Sequence, residues 1–363
     1  MRKDWEYKKL GEIAFYPNDK ISVDKIESNH YVGVENLLKD KAGILFSDQL
    51  PNATTATRFK YNDILLGNIR PYLKKIWLSN IEGGASGDVI VIRSSSDNIL
   101  PNYLFKLLSS DKFFDYFNLY TKGAKMPRGD KNAIAKFIVP IPPKSTQLSI
   151  VAELDKLNEM IRLKKQQLED YDQLAQSIFY EMFGDPVENE KGWEVKKLGN
   201  VCDLKAGKAI KASELSNDNP YPCYGGNGIR GYINRCSHLE SSPIIGRQGA
   251  YCGTVNFAEA PFYATEHAVV VKSKQNMQIK WLYYTLVNLK LSKYAKGQAQ
   301  PGIAVSNLNE LVIIPLPPLP LQQQFAARIE AIEQQKQQVK DAIKDLETLL
   351  ASRMQYWFDF TPD

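Results

Sequence analysis

The stretch WEYKKLG at residues 5–11 recurs as WEVKKLG at residues 193–199. A second stretch, IVPIPP at residues 138–143, recurs as IIPLPP at residues 313–318. Motifs that return in the same order at both ends of a segment indicate an internal repeat. We therefore interpret the 363-residue chain as a tandem duplication. Each copy has a globular region, a proline-rich exit and a polar tail.

The two tails carry apolar residues at alternating spacings of four and three. The first tail contains no glycine or proline from Gln147 to Met182. Such spacing over several heptads is typical of a coiled coil. The predicted contact positions are Leu154, Leu157, Ile161, Leu168, Tyr171 and Ile178 in the first tail and Ile329, Ile332, Val339, Ile343, Leu346 and Leu350 in the second. The series ends at Met182 and Trp357, and it predicts long helices over residues 146–185 and 319–363.

The simplest way to bury both apolar faces is for the two helices to pair with each other. Antiparallel pairing would set the globular regions, residues 1–145 and 186–318, at opposite ends of one rod and relate them by an approximate twofold axis. Pairing with a second molecule and a plain helical hairpin without a spacing role are the alternatives. The prolines at 142–143 predict a helix start just after them, with Ser145 or Thr146 as the N-cap.

Each globular region is predicted to mix strands and helices, which gives the α+β fold class. Apolar runs at residues 63–70 and 88–93 predict short strands. The segments that begin at Tyr103 and Trp281 predict packed helices, and we assign their aromatic residues to the core. The predicted architecture is two globular α/β regions in tandem, each followed by a long helix.

The net charge of +5 is unevenly distributed along the chain. The globular regions carry net charges of +6 and +5, whereas the helices carry −4 and −2. Basic globular regions favour a polyanionic partner, and acidic helices favour contacts with protein over contacts with DNA. Chance is the alternative explanation of this pattern.

The sequence contains no motif that assembles a catalytic site. It has no P-loop, and GNGIRG at residues 226–231 fits the glycine pattern of dinucleotide-binding loops but predicts a turn followed by a strand. The three histidines are widely separated and the four cysteines form no CxxC pair, so we assign them to structural or surface positions. We therefore expect a chain without catalytic residues or bound metal.

No apolar run approaches the roughly 18 residues that a membrane span needs. The first residues of the sequence lack the apolar core of a signal peptide. These observations predict a cytoplasmic protein without a membrane partner.

Loops that contain glycine and proline concentrate positive charge in both globular regions. Lysine and arginine neutralise phosphates, whereas arginine can read guanine and glutamine can read adenine. The DNA-binding residues predicted in the first region are Arg70, Lys74, Lys75, Lys122, Lys125, Arg128 and Lys131. Those predicted in the second region are Lys208, Arg230, Arg235, Arg247, Gln248, Lys296, Gln298 and Gln300. A solvated surface charge is the alternative at each single position.

The order of these motifs resembles the specificity subunit of type I restriction–modification systems. The resemblance rests on the doubled opening and exit motifs, on the glutamine that starts each tail, and on YPCYGGNGIRGY at residues 221–232. It implies that each globular region is a target recognition domain that reads one half of a split, asymmetric DNA site. It further implies an antiparallel helix pair that sets the spacing of the half-sites and docks methyltransferase subunits.

The resemblance also implies partners and cofactors beyond this chain. The partners would be double-stranded DNA, two methyltransferase subunits that bind S-adenosylmethionine and methylate adenine, and two restriction motor-nuclease subunits that use ATP with Mg. The chain itself would hold no cofactor. The competing interpretations are a coiled-coil adaptor without sequence-specific DNA binding and an enzyme that acts on DNA alone.

Overall fold

The computed structural model describes residues 4–297 and 301–359, and the chain separates into two compact units. Unit 1 consists of Met1–Lys164 together with Ala342–Asp363, and unit 2 consists of Lys165–Asp341. Each unit therefore combines one globular region with a part of each long helix.

The globular region of unit 1 mixes short strands and short helices. Its strands are β1 (Glu6–Lys9), β2 (Ala14–Phe15), β3 (Lys20–Ser22), β4 (Tyr31–Val32), β5 (Thr55–Phe59), β6 (Ile64–Gly67), β7 (Ile76–Leu78), β8 (Gly83–Ala85), β9 (Val89–Ser94), β10 (Thr121–Lys122), β11 (Arg128–Gly129) and β12 (Ile138–Ile141). Its helices are α1 (Leu10–Ile13), α2 (Pro101–Leu108), α3 (Asp111–Leu119) and α4 (Lys131–Ile134), and the long helix α5 (Lys144–Phe183) follows β12.

The entry and the exit of this region are neighbouring strands, because β1 pairs antiparallel with β12. Between them in the chain come two four-stranded sheets, with the strand orders β2-β9-β6-β7 and β3-β5-β8-β4, and the two-stranded hairpin β10–β11. Strands β6 and β9 confirm the strands predicted at residues 63–70 and 88–93. The apolar faces of α2 and α3 share one core with β6 and β9, where Tyr103 and Phe113 are fully buried.

The globular region of unit 2 has a similar set of elements. Its strands are β13 (Val195–Lys197), β14 (Cys202–Ala206), β15 (Tyr221–Gly225), β16 (Gly228–Ile233), β17 (Ser242–Gly246), β18 (Val255–Ala258), β19 (Tyr263–Ala264), β20 (Ala268–Ser273) and β21 (Ile313–Pro315). Its helices are α6 (Leu198–Val201), α7 (Ile279–Asn288) and α8 (Val305–Leu311), and the long helix α9 (Leu319–Phe358) follows β21.

Unit 2 repeats the entry–exit strand pair and one of the two four-stranded sheets of unit 1. Strand β13 pairs antiparallel with β21, and the sheet β14-β20-β17-β18 has the same connectivity as β2-β9-β6-β7. A smaller sheet has the order β16-β15-β19. The GNGIRG segment forms the turn between β15 and the following strand β16, which confirms the predicted turn and strand. Trp281 of α7 is buried in the core, as predicted.

The two long helices pair antiparallel within each unit. In unit 1 the Glu153 carboxylate of α5 accepts hydrogen bonds from the Trp357 indole (3.0 Å) and from the Arg353 guanidinium near the end of α9. In unit 2 the ring of Phe179, near the end of α5, lies 5.7 Å from the ring of Phe325, near the start of α9. Each 40-residue helix is about 60 Å long at 1.5 Å per residue.

The apolar face of the helices drifts away from the predicted heptad positions. Leu154, Leu157, Ile161, Ile329, Ile332, Val339 and Ile343 are buried, whereas Leu168, Tyr171, Ile178, Leu346 and Leu350 are half-buried. Near the helix ends the fully buried residues are Phe179 and Phe358, one position beyond the predicted Ile178 and Trp357. An α-helix drifts by about 20° per heptad relative to a strict seven-residue repeat, so about four heptads move the buried stripe by nearly one residue.

The start of α5 differs from the prediction. The helix begins at Lys144, so Ser145 and Thr146 lie inside the first turn and the predicted N-cap is wrong. The Pro143 carbonyl accepts hydrogen bonds from the N–H groups of Thr146 (2.9 Å) and Gln147 (3.0 Å). A proline that already has a helical φ and needs no N–H partner can open this turn without a side-chain cap.

A buried glutamine ties each long helix to its globular region. The Gln147 amide accepts a hydrogen bond from the N–H that precedes α2 (2.9 Å) and donates to the Pro142 carbonyl (2.8 Å). Gln322, the corresponding glutamine of the second copy, makes the same pair of bonds to the N–H that precedes α7 (3.0 Å) and to the Pro317 carbonyl (2.8 Å). The glutamine that starts each tail therefore fixes the helix against its own domain.

Candidate nucleic-acid interface

Two basic segments of unit 1 that lie far apart in the sequence meet through backbone hydrogen bonds. The N–H of Arg70, in the loop after β6, donates to the Pro127 carbonyl at 2.8 Å. The neighbouring residues 69 and 128 form an antiparallel bridge. We call the combined surface, residues 68–75 and 121–131, loop pair 1. It brings together the two segments in which sequence analysis placed DNA-binding residues of the first region.

The hairpin β10–β11 and the start of α4 supply most of the positive charge of loop pair 1. The exposed cations here are Lys122, Lys125, Arg128 and Lys131. Two of them have acidic neighbours, since Lys122 lies 3.0 Å from Asp130 and Arg128 lies 2.9 Å from Asp88. The Lys122 ammonium donates to the Asp130 carboxylate and holds the pKa of that carboxyl below its usual range.

Lys74 and Lys75 are held by neighbours within the unit. The Lys75 ammonium donates to the Val34 carbonyl at 2.7 Å, and burial lowers the pKa of this amine. The Lys74 ammonium lies 2.7 Å from the Asp111 carboxylate and holds the pKa of that carboxyl below its usual range. Arg70, in contrast, is exposed. The three predicted cations of this loop therefore differ in how much of their charge faces solvent.

Unit 2 brings together a corresponding pair of segments. The N–H of Gly249 donates to the Pro301 carbonyl at 2.9 Å, and Gln248 forms an antiparallel bridge with Gly302. Gly302 also exchanges two backbone hydrogen bonds of 2.9 Å with Lys296. We call this surface loop pair 2, and within the described residues it comprises 247–249, 296–297 and 301–302. The predicted Gln298 and Gln300 lie outside the described residues.

The two loop pairs share one backbone arrangement. The hydrogen bond from Arg70 to Pro127 in unit 1 corresponds to the bond from Gly249 to Pro301 in unit 2. Both donors have a left-handed backbone, with φ of 52° at Arg70 and 77° at Gly249. The scaffold is therefore repeated, while the side chains that it presents differ between the units.

A groove of about 340 Å³ lies beside loop pair 2. Its lining residues are Gly225, Gly226, Asn227, Gly228, Ile229, Arg230, Gln248, Tyr251 and His267. The turn of the β15–β16 hairpin approaches the end of β17 so closely that a Cβ atom at Gly246 would lie 2.2 Å from the Gly226 carbonyl oxygen. The predicted Arg230 and Gln248 therefore face the same space, together with His267 and Tyr251.

Five buried polar atoms without a hydrogen-bond partner among the described residues belong to His267, which lines the groove, or to residues close to the lining in the chain or sheet. They are Arg247 Nε, Asn256 Nδ2, Thr265 Oγ1, Glu266 Oε2 and His267 Nδ1. A buried polar atom without a partner costs free energy, so most such atoms in folded proteins are paired with protein or water. A cluster of them beside an open groove is suited to a polar ligand.

Lys208 and Arg235 lie beside β19 rather than in loop pair 2. The N–H of Lys208 donates to the Ala264 carbonyl at 3.1 Å. The Arg235 guanidinium lies 5.2 Å from the Tyr263 ring centroid and 2.7 Å from the Glu214 carboxylate. The predicted cations of the second region thus divide among loop pair 2, the groove beside it and a second patch at this strand.

Both units match one known protein family. The sequence profile of the type I restriction modification DNA specificity domain matches residues 2–170 and, a second time, residues 190–347. This chain belongs to that family. The duplication that the sequence motifs predict is therefore a duplication of the specificity domain.

Several relatives of this specificity-domain chain are named as specificity subunits. The type I restriction enzyme EcoprrI specificity subunit of Escherichia coli is 38% identical over 205 residues, which cover 50% of this chain and 49% of the relative. The MjaVIII specificity subunit of Methanocaldococcus jannaschii is 24% identical over 96% of this chain and 92% of the relative. The match thus spans about half the length of the first relative and most of the second.

Solved structures share the fold of the two specificity domains. A chain from a study of complex assembly and conformational transition of the type I R-M system has a TM-score of 0.62 and 24% identity, with 99% of this chain and 98% of that chain covered. The type I restriction-modification S subunit from M. genitalium has a TM-score of 0.60 and 14% identity, with 99% and 97% covered. These likenesses establish the fold.

Two residues beside the loop pairs were not selected by sequence analysis. Asp88 and His267 directly precede the apolar strands β9 and β20, and His267 lines the groove. The sequence signal that could have found them is their shared position before the runs VIVIR and AVVVK, since loops that connect strands carry a disproportionate share of binding residues.

The cysteines of the second specificity domain lie largely in its interior. Cys202, Cys223 and Cys252 are buried, and burial raises the pKa of the Cys202 thiol to about 12. Among the described residues, no group of side chains could hold a metal ion. No helix within the described part of the chain is long and apolar enough to cross a membrane.

Proposed function

We propose that this chain is the non-catalytic DNA-recognition subunit of a type I restriction–modification complex and that each specificity domain reads one half of a split, asymmetric site. The observation that carries the proposal is the repetition of one loop pair in both units. Loop pairs 1 and 2 have matching backbone hydrogen bonds but present different side chains. One scaffold with two sets of side chains suits a site whose two halves differ in sequence.

The exposed cations of the loop pairs are suited to the DNA backbone. Lys122 and Lys296 are exposed and directly precede Gly123 and Gly297, which have left-handed φ values of 97° and 98°. A glycine has no side chain, so the backbone beside it can approach a phosphate closely while the neighbouring lysine neutralises the charge. Such contacts fix the position of a protein on the duplex. Arg128 and Gln248, at the bridges between the segments, have the side chains that read guanine and adenine edges.

The long helices are proposed to set the spacing of the half-sites and to dock two methyltransferase subunits. Each helix contributes to both units, and the helical segments carry net negative charge, which disfavours DNA contact. Half-sites one helical turn apart on DNA are separated by about 34 Å, and each helix, at about 60 Å, is long enough to span that distance. Pairing of the two helices within each unit supports a role of the helices as a spacer.

The chemistry is assigned to the partner subunits of a cytoplasmic complex. In this proposal the two methyltransferase subunits bind S-adenosylmethionine and methylate adenine, and two restriction motor-nuclease subunits use ATP with Mg. This chain binds none of these cofactors and contributes the choice of DNA sequence.

The proposal is tested by expressing the chain with its methyltransferase subunit and mapping methylated adenines in the host DNA. We expect a motif of two defined halves separated by a gap of fixed length. A continuous motif, or the absence of any motif, would contradict the proposal. Binding of the purified complex to DNA should also weaken steeply with salt, whereas binding indifferent to salt and sequence would favour a coiled-coil adaptor.

A further inference from the structure

One position of the repeated scaffold carries different polar chemistry in the two units. The sequence spacing from Asn68 to Asp88 in unit 1 equals the spacing from Arg247 to His267 in unit 2. The Asp88 carbonyl accepts a hydrogen bond from the N–H of Asn68 at 2.9 Å, and the His267 carbonyl accepts one from the N–H of Arg247 at 3.0 Å. Asp88 and His267 therefore occupy equivalent places, each against the first segment of its loop pair.

The Asp88 side chain belongs to the surface of loop pair 1. Its carboxylate lies 2.9 Å from the Arg128 guanidinium, and both side chains are substantially exposed, at 38% and 57%. An exposed ion pair of this kind contributes little to folding stability, so stability does not account for an acidic residue among the cations of this surface. The pair does hold a carboxylate and a guanidinium side by side, which are the groups that read cytosine and guanine edges.

The His267 side chain belongs to the groove beside loop pair 2. Its Nε2 atom lies 3.2 Å from the Glu266 carboxylate, while its Nδ1 atom is buried without a hydrogen-bond partner among the described residues. The Nε atom of Arg247, whose N–H donates to the His267 carbonyl, is also buried without a partner among the described residues. Gln248 lines the same groove. The His267 side chain is 41% exposed, so it and Gln248 present polar groups to a groove that the hydrogen-bonding edge of a base can enter.

We infer that this position, occupied by Asp88 in unit 1 and His267 in unit 2, determines which base each specificity domain reads at one place in its half-site. The inference rests on the proposed function, because it requires that the loop pairs contact DNA. Asp88, with Arg128 beside it, accepts a hydrogen bond from the amino group of cytosine. His267 acts with Gln248 in the groove, so the second half-site carries a different base at the corresponding place.

The test uses Asp88→Asn and His267→Gln in the full chain, expressed with the methyltransferase subunit. The matched controls are Glu82→Gln, which alters another exposed carboxylate–arginine pair of unit 1, and His238→Gln, which alters another histidine of unit 2. Methylated adenines are mapped for each complex. Equilibrium competition then compares duplexes that carry the mapped wild-type site with duplexes changed at one base pair at a time.

At one base pair of one half-site, each variant should prefer the wild-type base over the other bases about 5- to 150-fold less than the wild-type complex does. That change corresponds to the usual cost of one mismatched base pair. The other half-site and the gap should stay unchanged, and both controls should keep the wild-type preference at every position. Unchanged discrimination in both variants, or uniform weakening at all positions, would overturn the inference while the wild-type split motif stands. A wild-type complex without a split motif would instead overturn the proposed function.

Discussion

Asp63 is a buried carboxylate whose negative charge is paired with the Arg93 guanidinium. Its carboxylate accepts two hydrogen bonds from the Arg93 guanidinium, at 2.8 Å and 2.6 Å, and the side chain is only 3% exposed. Replacing Asp63 by alanine leaves Arg93 partly buried with only the more exposed Asp19, 3.8 Å from its guanidinium, as a counter-charge. We expect the variant to lose about 3–5 kcal/mol of unfolding free energy, measured by urea denaturation of the full chain.

The control for this prediction is Glu82→Ala, which removes the partner of Arg58 from an exposed pair. Both side chains of that pair are about half exposed, so the loss should lie within about 1 kcal/mol. Equal losses of unfolding free energy in the two variants would show that burial does not determine how much these ion pairs contribute to stability.

Lys125 tests the proposal that a cation of loop pair 1 contacts phosphate and not a base. It is exposed in the turn of the β10–β11 hairpin of loop pair 1. Lys125→Ala should weaken binding of the complex to all DNA sequences alike and reduce the slope of log affinity against log salt by about 1. Lys60→Ala, which removes an exposed lysine outside the loop pair, should leave the slope unchanged. Lost discrimination at a single base pair with an unchanged slope would contradict a phosphate contact.

At the residue scale, the sequence predicts the chemistry of the loops better than the state of each side chain. Residue types and glycine content predict where cations gather, and the structure brings Arg70 and Arg128 onto one surface. Sequence alone could not show that Lys75 donates to a backbone carbonyl, because its partner Val34 lies far away in the chain. His267 was missed for the same reason, since the groove that it lines is formed by three separate segments of the chain.

At the element scale, the buried positions of the long helices differ from the positions that a strict heptad pattern selects. Phe179 is fully buried against α9, whereas the neighbouring Ile178, which the heptad pattern selects, is half-buried. Phe179→Ala should cost about 3–5 kcal/mol of unfolding free energy, and Ile178→Ala should cost less than about half of that. Urea denaturation of both variants measures the difference. A larger loss for Ile178 would mean that the strict heptad describes the packing.

The helices and central strands were predictable because their signals are local. The apolar periodicity of the tails spans several heptads, and β6 and β9 are continuous apolar runs. The start of α5 was predicted wrongly, because Ser145 has the usual chemistry of an N-cap while the Pro143 carbonyl already receives the first helical hydrogen bonds. The meeting of the loops was not predictable, since backbone bonds between distant segments leave no periodic pattern in the sequence.

At the scale of the whole molecule, the duplication organises the structure and underlies the proposed function. The doubled opening motif corresponds to the strand pairs β1–β12 and β13–β21, and both units carry the same loop arrangement. Long-range motif order predicted this architecture because repeats preserve topology after side chains diverge. Repeat order does not predict side chains that have diverged, and those that line the groove beside loop pair 2 are specific to one copy.

The central claim is that one chain reads two half-sites and that its paired helices set the gap between them. It is tested most directly by inserting one heptad into each long helix, between Lys164 and Lys165 and between Asp341 and Ala342. Two matched insertions keep the antiparallel pair in register, whereas an insertion in a single helix would misalign the apolar faces.

The measurement is the map of methylated adenines for the double-insertion complex, compared with the wild-type map. The account predicts that both half-sites stay the same and that the gap between them becomes longer. Altered half-sites at an unchanged gap would contradict it.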